Sequence, residues 1–168
     1  MNKEMAKRYT DYHIWANRQV WDCVERLSDE QFFQDDTYSH GSVYNQMYHL
    51  MESDWFTPYA VRGGFPQKDD PTAFNQEMYS DRASLRAKWD ELEAALLAFV
   101  EGVDDAGWLR PFEIPKGEGK MARTCAWEML VAGCNHGTNH RAQVLRMLAE
   151  FGVETVEQGF FFFVMQSE

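Results

Sequence analysis

The sequence has few of the residues that mark secreted proteins or nucleic-acid-binding proteins. It has three cysteines, Cys23, Cys125 and Cys134, with no C-x-x-C spacing among them. An odd number in this pattern excludes a disulfide framework and predicts reduced, mostly buried thiols. Basic residues are also scarce, because 16 Lys and Arg face 27 Asp and Glu, for a formal net charge of −11. Binding to phosphates needs a concentrated basic surface, so we exclude DNA and RNA as partners.

Long hydrophobic runs are absent as well. The longest apolar run, "FFFFVM" at 160–165, is too short to span a bilayer, and the first twenty residues contain no apolar core typical of a signal peptide. These two absences predict a cytoplasmic protein without a membrane partner. The composition is 45% hydrophobic and 15% aromatic over 168 residues, which predicts one globular domain over 1–168. A chain of this length buries a core without help from metals or disulfides.

Apolar residues recur every three or four positions along four stretches, the pattern of amphipathic helices. The predicted helices cover 3–27, 42–62, 76–101 and the stretch from a Thr124 cap to the residues before Gly152. No βαβ alternation accompanies them. We therefore predict an all-α fold, a four-helix bundle, in which cofactor and metal sites are built from facing helices.

The segments between these helices predict shorter elements. Ser28 and Gln31 form a capping-box pattern for a short helical turn, and Pro66 and Pro71 mark a connection over 65–75. Residues 108–121 alternate around a glycine-containing turn, which predicts a short hairpin or irregular lid. The tail, 153–168, is apolar enough to be packed against the bundle.

His136 and His140 are four residues apart on the last predicted helix, so both imidazoles can face one ion. The pair alone is a weak motif and needs a third ligand from another helix. A metalloprotease of the H-E-x-x-H type carries glutamate after the first histidine, but Gly137 stands there, which excludes that class. Cys134 faces away from His136 on the same helix and is not a predicted ligand.

His49, within the second helix, is the best third ligand, although it could instead be a core histidine bonded to a carbonyl or carboxylate. On the residues alone His13 ranks close behind it, whereas His40 precedes Gly41 in a loop and is expected to be exposed or capping. Three neutral imidazoles suit Zn or Ni foremost, then Fe, Cu or Mn, and leave coordination positions open.

Two polar residues are weak catalytic candidates near these histidines. Glu52 lies one turn after His49, so it could orient an imidazole or accept a proton, unless it is a solvated surface charge. Asn139, between the last two histidines, could meet a substrate.

Three motifs, "YHIWANRQV" at 12–20, "SVYNQMYHLMESDWF" at 42–56 and "NHGTNHRAQVLRML" at 135–148, resemble the DinB-like family, also called the YfiT-like metal-dependent hydrolases. The resemblance implies an up-down-down-up bundle in which three histidines hold a metal, and it makes His13 a bystander. The implied ligands are His49, His136 and His140. The sequence departs from the common His-Arg-Gly-Gln ending at Ala142, and Asn139 stands where many relatives have histidine.

The resemblance leaves two functions open. The first is a metal-dependent S-transferase, using bacillithiol, mycothiol or glutathione, or a hydrolase. It would act on an electrophilic small molecule held under residues 108–121. The alternative is a non-catalytic stress-related bundle with a structural metal. The apolar tail could form an interface, so we expect a homodimer.

Overall fold

The structure, a computed structural model, describes residues 1–64 and 75–166. Four long helices dominate it, which confirms the predicted all-α bundle. In chain order its elements are α1 Lys3–Val24, α2 Asp29–Phe33, α3 Val43–Val61, a 3₁₀ turn Gln76–Tyr79, α4 Arg82–Gly102, α5 Asp105–Leu109, β1 Pro111–Pro115, β2 Met121–Cys125, α6 Ala126–Glu150 and α7 Phe160–Gln166. The connection predicted at 65–75 lies almost wholly outside the described residues.

Cross-helix contacts give the direction of each long helix. α1 runs antiparallel to α4, since Lys3 pairs with Glu101 at 2.9 Å and Arg18 pairs with Glu93 at 2.9 Å. α3 runs parallel to α4, as the contacts of Asp54 with Trp89 and of Arg62 with Phe99 show. α3 runs antiparallel to α6, because Gln46 contacts Gln143 and Thr57 lies against Gly133. α1 runs parallel to α6, because Tyr9 contacts Asn135 and Asn17 contacts Arg141. This is the expected up-down-down-up arrangement, and it places α6 between α1 and α3.

The helical periodicity identified the core well. The buried residues among those that define the predicted helix faces are Tyr12, Ala16, Val20, Val24 and Leu27 on the first, Val43, Met47, Leu50 and Met51 on the second, Leu85, Trp89, Leu92, Leu96 and Phe99 on the third, and Leu130, Val144 and Leu148 on the last. Met5 is an exception, with 56% of its surface exposed. It lines a surface cavity together with Tyr9 and Phe160.

The third long helix begins later than predicted. Gln76–Tyr79 form a separate 3₁₀ turn, and α4 begins at Arg82. The Asp81 side chain accepts a hydrogen bond from the Ser84 backbone N–H at 2.7 Å, and the Ser84 hydroxyl faces back to Asp81 N in a capping box. A capping box satisfies the free N–H groups at the start of a helix, so it fixes the first residue of α4 at Arg82 and not at the predicted Gln76.

The segment before α6 forms a hairpin, as predicted, displaced a few residues along the chain. Pro111 pairs with Cys125 and Pro115 with Met121 in an antiparallel register. The predicted cap Thr124 is the penultimate residue of β2, and Cys125 occupies the N-cap position. The Thr124 hydroxyl instead donates to Glu128 at 3.0 Å.

The apolar tail folds into α7, which packs by one side only. Phe163 is buried against Tyr12 and Ala16 of α1. Phe161 and Met165 point outward, with 68% and 65% of their surfaces exposed. Among the described residues, no helix combines the length and apolar character needed to cross a bilayer.

A buried polar network joins α1, α3 and α6 in the middle of the bundle. Arg141 donates from Nη1 to Asn17 Oδ1 at 2.7 Å and to His13 Nδ1 at 3.2 Å. His13 Nε2 lies 2.7 Å from Asp54 Oδ1, and Asn17 Nδ2 donates to Asp54 Oδ2 at 2.9 Å. Two side chains of α1 thus bridge a guanidinium and a carboxylate, and Trp89 of α4 donates to Asp54 Oδ2 at 3.0 Å.

The contacts of this network act in opposite directions on the pKa of His13. Burial lowers the pKa of His13, but Asp54 and Cys134 outweigh burial and raise it to about 10. Arg141 donates to Nδ1, which must therefore be unprotonated to accept, while Nε2–H donates to Asp54. The guanidinium thus opposes protonation of Nδ1, whereas the Asp54 carboxylate favours a proton on Nε2.

Removing the carboxylate should be costly, because it leaves the Arg141 charge buried without compensation. We expect Asp54→Ala to lower the free energy of unfolding by about 3 kcal/mol or more. The control is Asp90→Ala, which removes an exposed ion pair with Arg86 and should cost about 0.5 kcal/mol. Urea denaturation of both variants measures the two values, and equal losses would contradict a structural role for the network.

Candidate metal centre

Three histidines from α3 and α6 meet where these antiparallel helices cross. His136 and His140 lie one turn apart on α6, and their ring centroids are 4.3 Å apart. His49 of α3 lies opposite them, with its ring centroid 4.9 Å from that of His136 and 4.5 Å from that of His140. The structure therefore brings together the three residues that the sequence analysis selected as ligands.

The spacing of the ligand atoms fits a divalent ion. His49 Nε2 and His136 Nε2 are 2.9 Å apart. Two nitrogens bound at about 2.1 Å to one ion lie about 3 Å apart when they subtend a right angle and about 3.4 Å apart in a tetrahedral site. The observed separation of the two nitrogens matches the right-angle arrangement. A tetrahedral site would need the two rings to move apart by a small distance. The donor set suits Zn, Ni, Fe or Cu.

A hydrogen-bonded chain fixes the orientation of His140. Its Nδ1 lies 3.1 Å from Gln46 Oε1, which can only accept, so Nδ1 carries the proton and Nε2 is free to bind a metal. Gln46 is fully buried and donates from Nε2 to Gln143 Oε1 at 3.0 Å. Such outer hydrogen bonds hold a ligating imidazole in the right tautomer and raise its basicity.

The electrostatics of the cluster keep the imidazoles neutral at pH 7. Burial, followed by the neighbouring histidines, lowers the pKa of His49 to about 4. Burial and His136 likewise lower the pKa of His140 to about 4, and burial lowers the pKa of His136. A metal binds the unprotonated nitrogen, so rings that resist protonation are suited to be ligands.

His40 belongs to the same cluster, although the sequence analysis expected it to be exposed or capping. It is exposed, but its ring stacks on His49 with centroids 4.1 Å apart and an interplanar angle of 23°. One ring nitrogen from each of His40, His49 and His140 lies within 4.8 Å of the others. His49 is therefore common to two groupings, one with His136 and one with His40 and His140.

A cleft of about 500 Å³ opens beside His49 and His136, between α3 and α6. Its wall includes Trp55, Phe56 and Met129. Among the described residues that line it, Glu52 is the one formally charged at pH 7. The cleft therefore suits an apolar, uncharged small molecule next to the histidines.

The two weak catalytic candidates lie in different places. Glu52 lines the cleft, and its Oε2 is 3.9 Å from His49 Nδ1, beyond hydrogen-bond range. Burial raises the pKa of Glu52, which makes the carboxylate a better proton acceptor. Asn139 is exposed on the surface of α6.

The hairpin does not cover the histidines, contrary to the expectation for 108–121. Pro111 and Phe112 line a different cavity, of about 490 Å³, together with Arg62 and Phe99. The hairpin precedes the first residue of α6, which lies about 15 Å along the helix from His136. The cleft at the histidines is the better substrate candidate because it adjoins the ligands.

Comparison with known protein families gives a match over nearly the whole chain. A model of the DinB family matches residues 1–164. The chain belongs to the DinB family. It is 21% identical over 174 residues to Protein DinB of Bacillus subtilis (strain 168), and the match covers 98% of each chain.

Within this DinB-family chain, Gly137 stands where a zinc protease of the H-E-x-x-H type has its glutamate. A Cβ added there would come within 2.6 Å of His13 Cε1 and 2.9 Å of Arg141 Nη1. Real Cβ atoms do not approach atoms so closely, and both neighbours are fixed by the buried network. Position 137 therefore faces the core, away from the cleft.

Sequence reasoning missed two residues of the centre. Gln46 lies one helical turn before His49, so the same-face rule applied to His49 and Glu52 could have found it. His40 gave no such signal, since no periodicity governs a loop. Its place depends on backbone turns at Ser39 and Gly41, which have φ of 52° and 96°.

If Gln46 orients a ligand, replacing its amide should weaken metal binding while leaving the fold intact. Gln46→Met keeps the bulk and removes the acceptor for His140, so we expect the metal dissociation constant to rise by about 10- to 100-fold. Titration with Zn²⁺ against a competing chelator measures the change. Exposed Gln34→Met is the control and should match the wild type. An unchanged dissociation constant for Gln46→Met would rule out the orienting role.

Proposed function

We propose that this protein is a divalent-metal-dependent enzyme that transfers a low-molecular-weight thiol, or water, to an electrophilic small molecule. The observation that carries the proposal is the meeting of His49, His136 and His140, whose pKa values are lowered, at the edge of an apolar cleft. An ion held there lowers the pKa of a thiol or water. Zn or Ni is the first choice, with Fe, Cu or Mn as alternatives.

The protein's own groups would supply position and proton transfer. In thiol transfer, a C–S bond forms as the leaving group departs with its bonding electron pair, and the thiol proton goes to a base. Glu52 lines the cleft and burial raises its pKa, so it is the first candidate for the proton acceptor. Bulk water is the second candidate. Trp55 and Phe56 would hold the electrophile and exclude water from its apolar part.

The charge in the cleft affects which thiol can bind there. Bacillithiol, mycothiol and glutathione are the candidates, all found in reducing compartments, and a cytoplasmic setting is consistent with the buried thiols of Cys23 and Cys134. Glu52 repels carboxylates, so the thiol with the fewest of them is favoured. Nucleic acid and membrane have no part in this proposal.

A test combines metal content with turnover. We expect the purified protein to contain close to one metal ion per chain and to conjugate a chlorinated aromatic electrophile with one of the three thiols. His49→Ala should lose the ion and the conjugation together. Circular dichroism on both metal-free proteins shows whether the fold is retained. Equal conjugation rates in the two proteins would exclude the proposed role of the site.

A non-catalytic bundle with a structural metal is the second candidate. The nearness of His40 favours it, because structural zinc sites are closed by four protein ligands whereas catalytic sites keep a position open. A large fall in melting temperature on chelation, with no turnover of any electrophile tested, would support this candidate over the enzyme.

We also propose that the protein is a homodimer assembled through α7. Phe161 and Met165 are exposed on that helix, and exposed Met5 of α1 lines a surface cavity with Phe160 of α7. Contiguous exposed apolar side chains are typical of interaction surfaces. Phe161→Asp with Met165→Asp should convert a dimer to a monomer in light scattering. Glu157→Ala, on the segment before α7, is the control, and a wild-type monomer would contradict the proposal.

A further inference from the structure

The loop between α2 and α3 holds His40 against the three helix-borne histidines. Asn45 of α3 donates from Nδ2 to the His40 carbonyl at 3.0 Å, and the Ser39 hydroxyl donates to Gln143 Oε1 of α6 at 2.7 Å. The loop is thus tied to both helices that carry the other imidazoles. Gln143 accepts from Ser39 and Gln46 alike, so one side chain links the loop to the group that orients His140.

The position of the His40 ring fits ligation of the same ion. Its centroid lies 4.1 Å from that of His49 and 5.2 Å from that of His140. The three nitrogens lie within 4.8 Å of one another, whereas ligands of one ion lie about 3 to 4.2 Å apart at bond lengths of about 2.1 Å. The His40 nitrogen therefore needs to move only a short distance to reach ligand spacing, and an exposed side chain on a loop can make such a movement.

We propose that His40 is a fourth ligand of the metal, carried by the loop and exchangeable for substrate. This inference rests on the proposed metal site and extends it. Three ligands are fixed on helices, while the fourth is exposed and can move aside without disturbing the bundle. The resting site is then closed by four histidines, and a thiol opens it by replacing His40.

The test replaces zinc with Co²⁺, whose visible spectrum reports coordination. His40→Phe retains an aromatic ring that can stack on His49 but has no ligating nitrogen, so it separates ligation from stacking. We expect a changed cobalt spectrum, one fewer histidine by X-ray absorption, and a metal dissociation constant raised at least about tenfold, the cost typical of losing even an outer hydrogen-bond partner. Azide should bind the cobalt form of the variant more tightly, because the position is already open.

Two further variants of the protein serve as controls for this experiment. His40→Ala removes both ring and nitrogen and should match His40→Phe, and melting of both metal-free variants controls for folding. His49→Ala should abolish cobalt binding. If His49→Ala loses the ion but His40→Phe keeps the wild-type spectrum, affinity and azide response, then His40 only stacks and this inference is wrong while the metal site stands. If the wild type binds no cobalt, both proposals fail.

Discussion

The buried pairing of Arg141 with Asp54 through His13 and Asn17 is the constraint on which the rest of the structure depends. A guanidinium and a carboxylate withdrawn from water must each be fully satisfied, and α1 provides both bridging side chains. The two charges belong to the helices that carry the histidine cluster. Arg141 adjoins His140 in sequence, so the network sets the depth and rotation of α6 against α3.

The candidate metal centre combines side chains on rigid helices with one side chain on a loop. His49, His136 and His140 project from packed helices, and buried Gln46 fixes one of their tautomers. His40 approaches His49 from a loop, and an apolar cleft opens beside His49 and His136. Side chains held on rigid helices suit a preformed metal site, and a catalytic metal site also needs a coordination position that can exchange.

The sequence predicted the bundle because its four apolar stretches repeat with a helical period. It selected three histidines that the structure brings together, because two share one helix face and the family resemblance supplied the third. The parts that escaped depend on contacts between distant segments. No spacing rule places His40 in the cluster. The hairpin was expected to cover the substrate, but its residues Pro111 and Phe112 line a cavity other than the cleft at the histidines. The later start of α4 reflects a capping box that overrides periodicity.

Gly137 has a consequence for how this centre could change over time. A single codon change could place a carboxylate at position 137, as in the zinc proteases, but that side chain would collide with His13 and Arg141 and break the buried network. The evolutionary path to a base on that turn of α6 is therefore blocked by the stability of the fold. Cleft-lining positions such as Ser53 and Ala132 do not face this network, so a new proton acceptor beside the histidines is compatible with the fold there.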